Sequence, residues 1–594
     1  MFAQSLFYWK KGDIFVIVSL VKMIKKLFNS QSKTITSAAI LLGAASLISR
    51  ILGLLRDRIL AGKFGAGDEL DIYFAAFRIP DLIYNLLVVG ALTAGFIPVF
   101  AAYWNKEKKQ IVDFSSPPQM RGGQGGVLKI DNTSPSSSST EEGRNNNEAW
   151  HLANGVLNLI VLGLIIVCGL TAVFARQIVP LIAPGFNPQK IEMTINLTRL
   201  IFLSPIFLGI SGVFSGILQS FKNFLAFALA PIFYNLGIIF GAIFLTKYFG
   251  IYGLGLGVVL GAFLHMLIQI PPAIACGFRY RVTFDFFHEG IIKIIKLMVP
   301  RAISLGISQL NFVALTFVAS SLAAGSIAIF NFAYNIYTLP FGIIAVSYAV
   351  AVFPSLTEAA VKKDWQDYAK NFSSTFRQIL FFIIPASIFL VVLRAQIVRV
   401  ILGSGKFDWQ DTILTIQSLQ YLAIGLFADS LVLLMMRGFF AIENTKTPAI
   451  ISLIGTIIRL FSAIILVKYF SVAGLALGYA IGSIACMILL WIFLEERVGD
   501  LGQNEIIAAG FKILLSSAVA GLAAYGSLYL IAPLVDMKTF IGIFIQGLFA
   551  GLIGVAAYII FGLLMKSQEM FSFWQAIANR LPWASVAPAE EIIE

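Results

Sequence analysis

Residues 71–80 read Asp71-Ile-Tyr-Phe-Ala-Ala-Phe-Arg-Ile-Pro80 and lead to Gly90-Ala-Leu-Thr-Ala-Gly-Phe-Ile-Pro98. In the second half, Phe330-Asn-Phe-Ala-Tyr-Asn-Ile-Tyr-Thr-Leu-Pro340 leads to Val350-Ala351-Val352-Phe353-Pro354. Each half also carries a Gly-Phe turn after its third apolar run, Ala183-Pro184-Gly185-Phe186 and then Gly403-Ser404-Gly405-Lys406-Phe407. An internal repeat of this kind predicts two six-helix lobes. Because six is even, both keep the same orientation, around an axis normal to a membrane and with a substrate site between them. Several transporter folds are built from repeats that rock around such a site.

Working outward, the solvent is lipid. Apolar residues make up 58% of the 594 and charged residues 12%, against roughly 25% charged in a soluble globular protein. Fifty glycines agree with this, since glycine lets membrane helices approach closely. A spanning helix needs about 20 predominantly apolar residues. Such runs fall near 35–63, 70–103, 149–175, 191–220, 224–247 and 251–277, then near 291–323, 326–356, 374–402, 411–440, 448–470 and 473–494, with two more near 506–531 and 539–565. The expected fold is therefore an all-α polytopic membrane protein of about 14 transmembrane helices, two six-helix lobes in parallel repeat plus two C-terminal helices.

The domain reading follows. Residues 1–33 form an N-terminal cytoplasmic or interfacial extension, and their short apolar run is too short to span. The N-terminal lobe is 34–277, the C-terminal lobe 278–497, the two additional helices 498–566 and the cytoplasmic tail 567–594. Residues 105–148, rich in Gly, Ser and Asn, cannot bury enough apolar surface to offset their ordering entropy and read as a disordered cytoplasmic loop. Lys and Arg concentrate in alternate loops (Lys25 and Lys26, Lys106 to Arg144, Arg279 and Arg281, Lys362 to Lys370, Arg437 and Lys446, Arg497). By the positive-inside rule both termini face the cytoplasm. The same rule accounts for the net charge of +12 without nucleic acid.

The chemistry of the chain is sparse. Cys168, Cys276 and Cys486, like His151, His265 and His288, are scattered without metal-ligand spacing, so no metal, cofactor or disulfide framework is expected. No Asp-x-Asp cluster or His pair marks a membrane enzyme such as a glycosyltransferase, and no filter or repeated pore-lining ring marks a channel. What stands out is charge inside spans, which costs about 2.5–3.5 kcal/mol per residue at a helix centre. Arg50, Arg56, Asp57 and Arg58 lie in the first helix, Asp71, Arg78 and Asp81 in the second, and Arg199, Arg301, Asp429 and Arg459 later. One reading is a cationic cavity in the N-terminal lobe, where guanidinium forks suit a diphosphate head group. The other is that Arg58 and Arg78 snorkel to an interface and Asp57 neutralises Arg50. Prolines 80, 98, 205, 231, 300, 340 and 448, in or beside spans, bend helices, either as static kinks or as flexing points.

Here a resemblance becomes specific. Ser49-Arg50-Ile-Leu-Gly53-Leu-Leu-Arg56-Asp57 resembles the first-helix signature of the MurJ (MviN) family of lipid II flippases. Asp71 through Pro80, Gly90-Ala91-Leu92 and Phe96-Ile97-Pro98 resemble its second helix, and Ala183 to Phe186 its following loop. Ala230-Pro231 with Asn235 resembles its fifth helix, and Arg437-Gly-Phe-Phe-Ala441 with Asn444-Thr-Lys-Thr-Pro448 its turn before helix eleven. The likeness covers about residues 35–565.

The resemblance implies a flippase for lipid-linked peptidoglycan precursor in the bacterial inner membrane, within the multidrug and oligosaccharidyl-lipid exporter superfamily. It implies a central cavity, alternating access and no enzymatic step. The expected partners are a lipid-linked glycopeptide, membrane lipids and the cell-wall synthesis machinery, with the protein itself a monomer. Arg50, Arg56 and Asp71 match charged positions that the family uses in or near the cavity. Arg78 and Arg459 complete the expected substrate-binding set. The chain departs from the family at Tyr84 and Asn335, where arginines are usual, at Val89, where glutamate is usual, and at Leu315 and Ala463, where some members place acidic residues. Arg459 is then a fixed positive charge that replaces a missing cavity cation, or it snorkels away. The alternatives are an exporter of another lipid-linked oligosaccharide or amphipathic solute on the same fold, and a scaffold that has lost transport.

Overall fold

The computed structural model describes residues 35–89, 95–105 and 148–578. The extension 1–33, most of the 105–148 loop, the Gly90-Ala91-Leu92 motif and residues 579–594 lie outside the described residues. All the long elements are helical, as lipid demands of a chain whose backbone groups must be satisfied within each segment. In order they are α1 (Ile35–Phe64), α2 (Asp68–Tyr84), α3 (Glu148–Val173), α4 (Pro188–Ile201), α5 (Leu203–Ser220), α6 (Phe224–Phe240), α7 (Tyr252–Leu267), α8 (Glu289–Ala319), α9 (Ser326–Pro340), α10 (Val346–Lys362), α11 (Trp365–Val392), α12 (Trp409–Ala441), α13 (Lys446–Val498), α14 (Gln503–Ile531), α15 (Phe540–Leu564) and α16 (Gln568–Ala578).

Among the described residues, 11 spans are long and apolar enough to cross a membrane, two of them joining two of these helices end to end (α4 with α5, and α9 with α10). The expected count of 14 is not reached by that measure. Helices α1 and α8, of 30 and 31 residues, are not among the 11. The 53-residue α13 is two helices merged across Ser471, whose φ of 50° and ψ of −134° are not helical.

The repeat is visible in backbone detail. Pro80 sits in α2, which runs into a π-helical turn at Asn85–Val89. Pro340 ends α9, which runs into another at Phe341–Ala345. Proline removes a ladder hydrogen bond, and a widened turn is one way the helix absorbs the misfit.

Contacts gather the chain into two compact units. The first holds the described residues up to Gly53, with Ala76–Arg176 and Ile195–Gln309. The second holds Leu54–Ala75, Gln177–Thr194 and the chain from Leu310 onward. In the first unit α6 and α7 meet at backbone distance. A Cβ on Gly237 would come within 2.3 Å of Gly261 Cα, and one on Gly241 within 2.4 Å of Gly257 Cα. In the second unit the two halves of α13 meet in the same way. A Cβ on Gly474 would lie 2.4 Å from the Leu466 carbonyl oxygen, and one on Gly478 would lie 2.5 Å from Ala463 N. Helix α14 packs on α11 and α15, and α15 ties back through the Tyr558 hydroxyl, which donates to the Phe381 carbonyl at 2.7 Å.

Candidate functional site

Within the second unit, segments from the two sequence halves interlock at one end of the helices. Asp71, buried in α2, takes backbone amides from the start of α9 with both carboxylate oxygens, Gly325 N at 2.7 Å and Ala328 N at 3.0 Å. A carboxylate at a helix N-terminus satisfies orphan donors and meets the positive end of the dipole. Lys190 Nζ lies 2.6 Å from Asp68 and 3.6 Å from Asp71 and stacks over the Phe186 ring. Gly325 has φ +87°, and a Cβ there would meet the Ala66 carbonyl at 1.8 Å, so no other residue type suits this corner.

The two Gly-Phe turns serve the same junction. Gly185 N donates to Ser320 Oγ at 3.2 Å, and a Cβ on Gly185 would lie 2.4 Å from the Ser320 carbonyl oxygen. Lys406 N donates to the Gly62 carbonyl at 2.8 Å, beside Gly405 with φ +57°. Ala66 N donates to Asp411 at 2.9 Å, and Arg58 donates to the Val400 carbonyl. The turn of each half thus docks on the first helix of the other half's repeat, at a point where only glycine leaves room.

The expected site residues fall as follows. Arg56 and Asp57 are paired at 2.8 Å, and Asn335 Nδ2 donates to the second Asp57 oxygen at 2.8 Å. Asp57 therefore neutralises Arg56, its neighbour, and holds Asn335. Asp71 belongs to the junction just described. Arg50 and Arg78 lie in the first unit, both half-buried, with Arg78 close enough to Asp81 for the two charges to interact.

Arg459 is held by charged and polar partners. Its guanidinium lies in the second unit, 3.3 Å from Asp429 and 2.9 Å from Ser483 Oγ, over the Tyr479 ring at 4.7 Å. Tyr337 donates to the other Asp429 oxygen, and Arg459 Nε is buried without a hydrogen-bond partner. The stem passes where Gly482 has no side chain; a Cβ there would sit 2.0 Å from Arg459 Cγ. Spacing in the sequence does not announce Asp429 and Tyr337 as partners, because they come from two other helices. The first unit holds a polar cluster of its own, in which Ser211 and His265 Nδ1 lie 2.7 Å apart and Gln269 bonds both Ser211 and Ser215.

The lipid II flippase MurJ family matches residues 60–117 and 135–547. The chain belongs to that family. Among MurJ relatives, the "probable lipid II flippase MurJ" of Buchnera aphidicola is 28% identical over 475 residues, covering 79% of this chain and 86% of the relative. The "lipid II flippase MurJ" of Burkholderia cenocepacia is 26% identical over 464 residues, covering 76% and 82%. A solved MurJ in an inward closed conformation superposes with a TM-score of 0.65 at 25% identity, covering 88% of this chain and 98% of that one. An inward-facing multidrug transporter of the MATE family reaches 0.57 at 15% identity, covering 79% and 99%, which extends the fold, and the fold alone, beyond MurJ. The chain is thus a multi-pass member of a transporter family.

Proposed function

We propose that this chain carries lipid II from the cytoplasmic to the outer leaflet of the bacterial inner membrane by alternating access, for cell-wall synthesis. The observation that carries the reading is the MurJ match, which runs through both halves of the repeat. The chain works as a monomer with 14 crossings and makes or breaks no covalent bond. Its polyprenyl-linked substrate keeps its tail in hydrocarbon, so only the head group needs a polar route. Arg50 and Arg78, both in the first unit, meet the diphosphate, and their guanidinium forks suit it.

The junction around Asp71 is the closed outer gate. Orientation rests on the Lys and Arg distribution, supported by Lys222, Lys363 and Lys566, which end helices in the left-handed conformation (φ 56°, 56° and 49°). With 14 crossings all three fall on one side, where a cation also meets the helix C-terminal dipole. That side is the cytoplasm, and both termini share it.

Complementation tests the proposal. The chain is expressed in a bacterium depleted of its own lipid II flippase, beside Arg50→Ala and Arg78→Ala variants. Rescue by the parent and not by correctly inserted variants is the expected result. Failure of a well-inserted parent moves the substrate to another lipid-linked glycan, with Tyr84 and Asn335 as the reason.

A further inference from the structure

A polar cavity of about 940 Å³ opens in the second unit where α11 and α14 begin and α15 ends. Its floor is Arg377, whose guanidinium is strapped at 3.3 Å to Glu505 and at 3.3 Å to Glu569. Glu569 also accepts the Ser567 hydroxyl at 2.9 Å. Asp500, the remaining acid in the lining, takes Gly502 N at 2.9 Å and Gln503 N at 3.3 Å. The carboxylates are therefore occupied by the protein's own donors.

The cations around them are not. Lys370, Lys512 and Lys566 line the same cavity, and among the described residues no carboxylate lies within 4.0 Å of any of the three ammonium groups. The one close acceptor is the Lys566 carbonyl, 3.5 Å from Lys512 Nζ. Lys566 ends its helix with φ +49°, a position where glycine is the unstrained choice.

The level in the membrane is also marked. Trp365, half-exposed at the first residue of α11, and Trp574 and Phe573, exposed on the amphipathic α16, are the residues that settle at head-group depth. Below Lys512, Leu515 and Leu522 stand exposed on the same face of α14 as Ala508, a lane for an acyl chain.

We propose that this cavity holds the phosphate head group of an anionic phospholipid from the leaflet it faces, with Lys370, Lys512 and Lys566 on the phosphate and Arg377 fixing the floor. Basic pockets between membrane helices bind such head groups, and each lysine near the surface contributes about a fivefold preference for the anion. The shared chemistry is a phosphate monoanion; the apolar lane favours a lipid over a soluble phosphate. The site is independent of the lipid II reading and uses the proposed orientation only to name the leaflet as cytoplasmic.

The test is a competition, read by native mass spectrometry on the full chain in neutral detergent. Phosphatidylglycerol and phosphatidylcholine of identical acyl chains are supplied in equal amounts. Retention of phosphatidylglycerol at least tenfold over phosphatidylcholine is expected. The preference should fall at least tenfold in a Lys370→Gln, Lys512→Gln, Lys566→Gln variant and persist in the matching Arg triple, which separates charge from folding. Equal retention of the two lipids, or a Gln triple with the parent's preference, overturns the proposal. Displacement by glycerol 3-phosphate at the concentration of the lipid itself overturns the lipid assignment and makes this a site for a soluble phosphate.

Discussion

Gly250 and Ser471 hold the same backbone conformation, φ 53° and ψ −135° at one and φ 50° and ψ −134° at the other. They occupy the same place in two copies of one sequence. Leu245-Thr-Lys-Tyr-Phe-Gly250-Ile-Tyr-Gly253-Leu-Gly-Leu-Gly257 is matched by Leu466-Val-Lys-Tyr-Phe-Ser471-Val-Ala-Gly474-Leu-Ala-Leu-Gly478. Both copies reverse direction at that residue, and both then press a glycine ladder against the preceding helix.

Ser471 thus keeps a side chain where its counterpart has none, in a region of φ that costs an L-residue about 1 kcal/mol. Ser471→Gly is expected to raise thermal stability in detergent by about that amount. Gly250→Ala is expected to lower it by at least as much. Fluorescence-detected size-exclusion melts of the two variants check the pair; a destabilised Ser471→Gly would mean the hydroxyl contributes more than the strain costs.

Asp71→Ala removes two charge-assisted hydrogen bonds, each worth about 1.5–3 kcal/mol, from the junction with Gly325 and Ala328. The variant is expected to expose Ser320, which is buried in the parent. In a background with Cys168, Cys276 and Cys486 replaced, a Ser320→Cys reporter should label with a membrane-impermeant maleimide several-fold faster when Asp71 is Ala. Unchanged labelling would remove Asp71 from the gate.

Removing one member of a buried ion pair strands the other, at about 3–5 kcal/mol. Arg459→Ala and Asp429→Asn are each expected to lower stability strongly. Arg459→Met combined with Asp429→Leu should recover most of the loss. Transport by the stable double variant then decides whether the charge itself serves the cycle. Full transport would make Arg459 a packing feature only.

Gly482→Ala places a methyl group on the path of the Arg459 stem. It is expected to cost about 1–3 kcal/mol by overpacking in the parent and distinctly less when Arg459 is Ala. Equal cost in both backgrounds would show that the clash is with backbone, since Arg459 N and the Gly455 carbonyl oxygen also lie 2.9 Å from that Cβ position.

Much of the architecture was legible because lipid imposes it. Length and hydropathy marked the helices, and the prolines at 80 and 340 marked the second helix of each half. The Gly185 and Gly405 turns were readable as repeats but not as docking points, because the close approaches to Ser320 and Gly62 join residues far apart in the chain. Asp71 was readable as a buried charge. Its role was not, since a carboxylate that binds a ligand and one that caps a distant helix look alike in sequence. Arg459 shows the same limit: its cost was visible, its partner Asp429 was not. The ladders of Gly253, Gly257, Gly261 and Gly474, Gly478, Gly482 were in plain view and carry a clearer repeat signal than the stretches around Asp71.

Those ladders have a mechanical consequence. Where two helices touch through backbone atoms, sliding one past the other by a single residue drives a side chain into a carbonyl. Each hairpin is therefore a stiff beam that can tilt and cannot shear. Bending is then taken up where the backbone is already widened, at Asn85–Val89 after Pro80, at Phe341–Ala345 after Pro340 and, inside the first hairpin, at Gly241–Leu245.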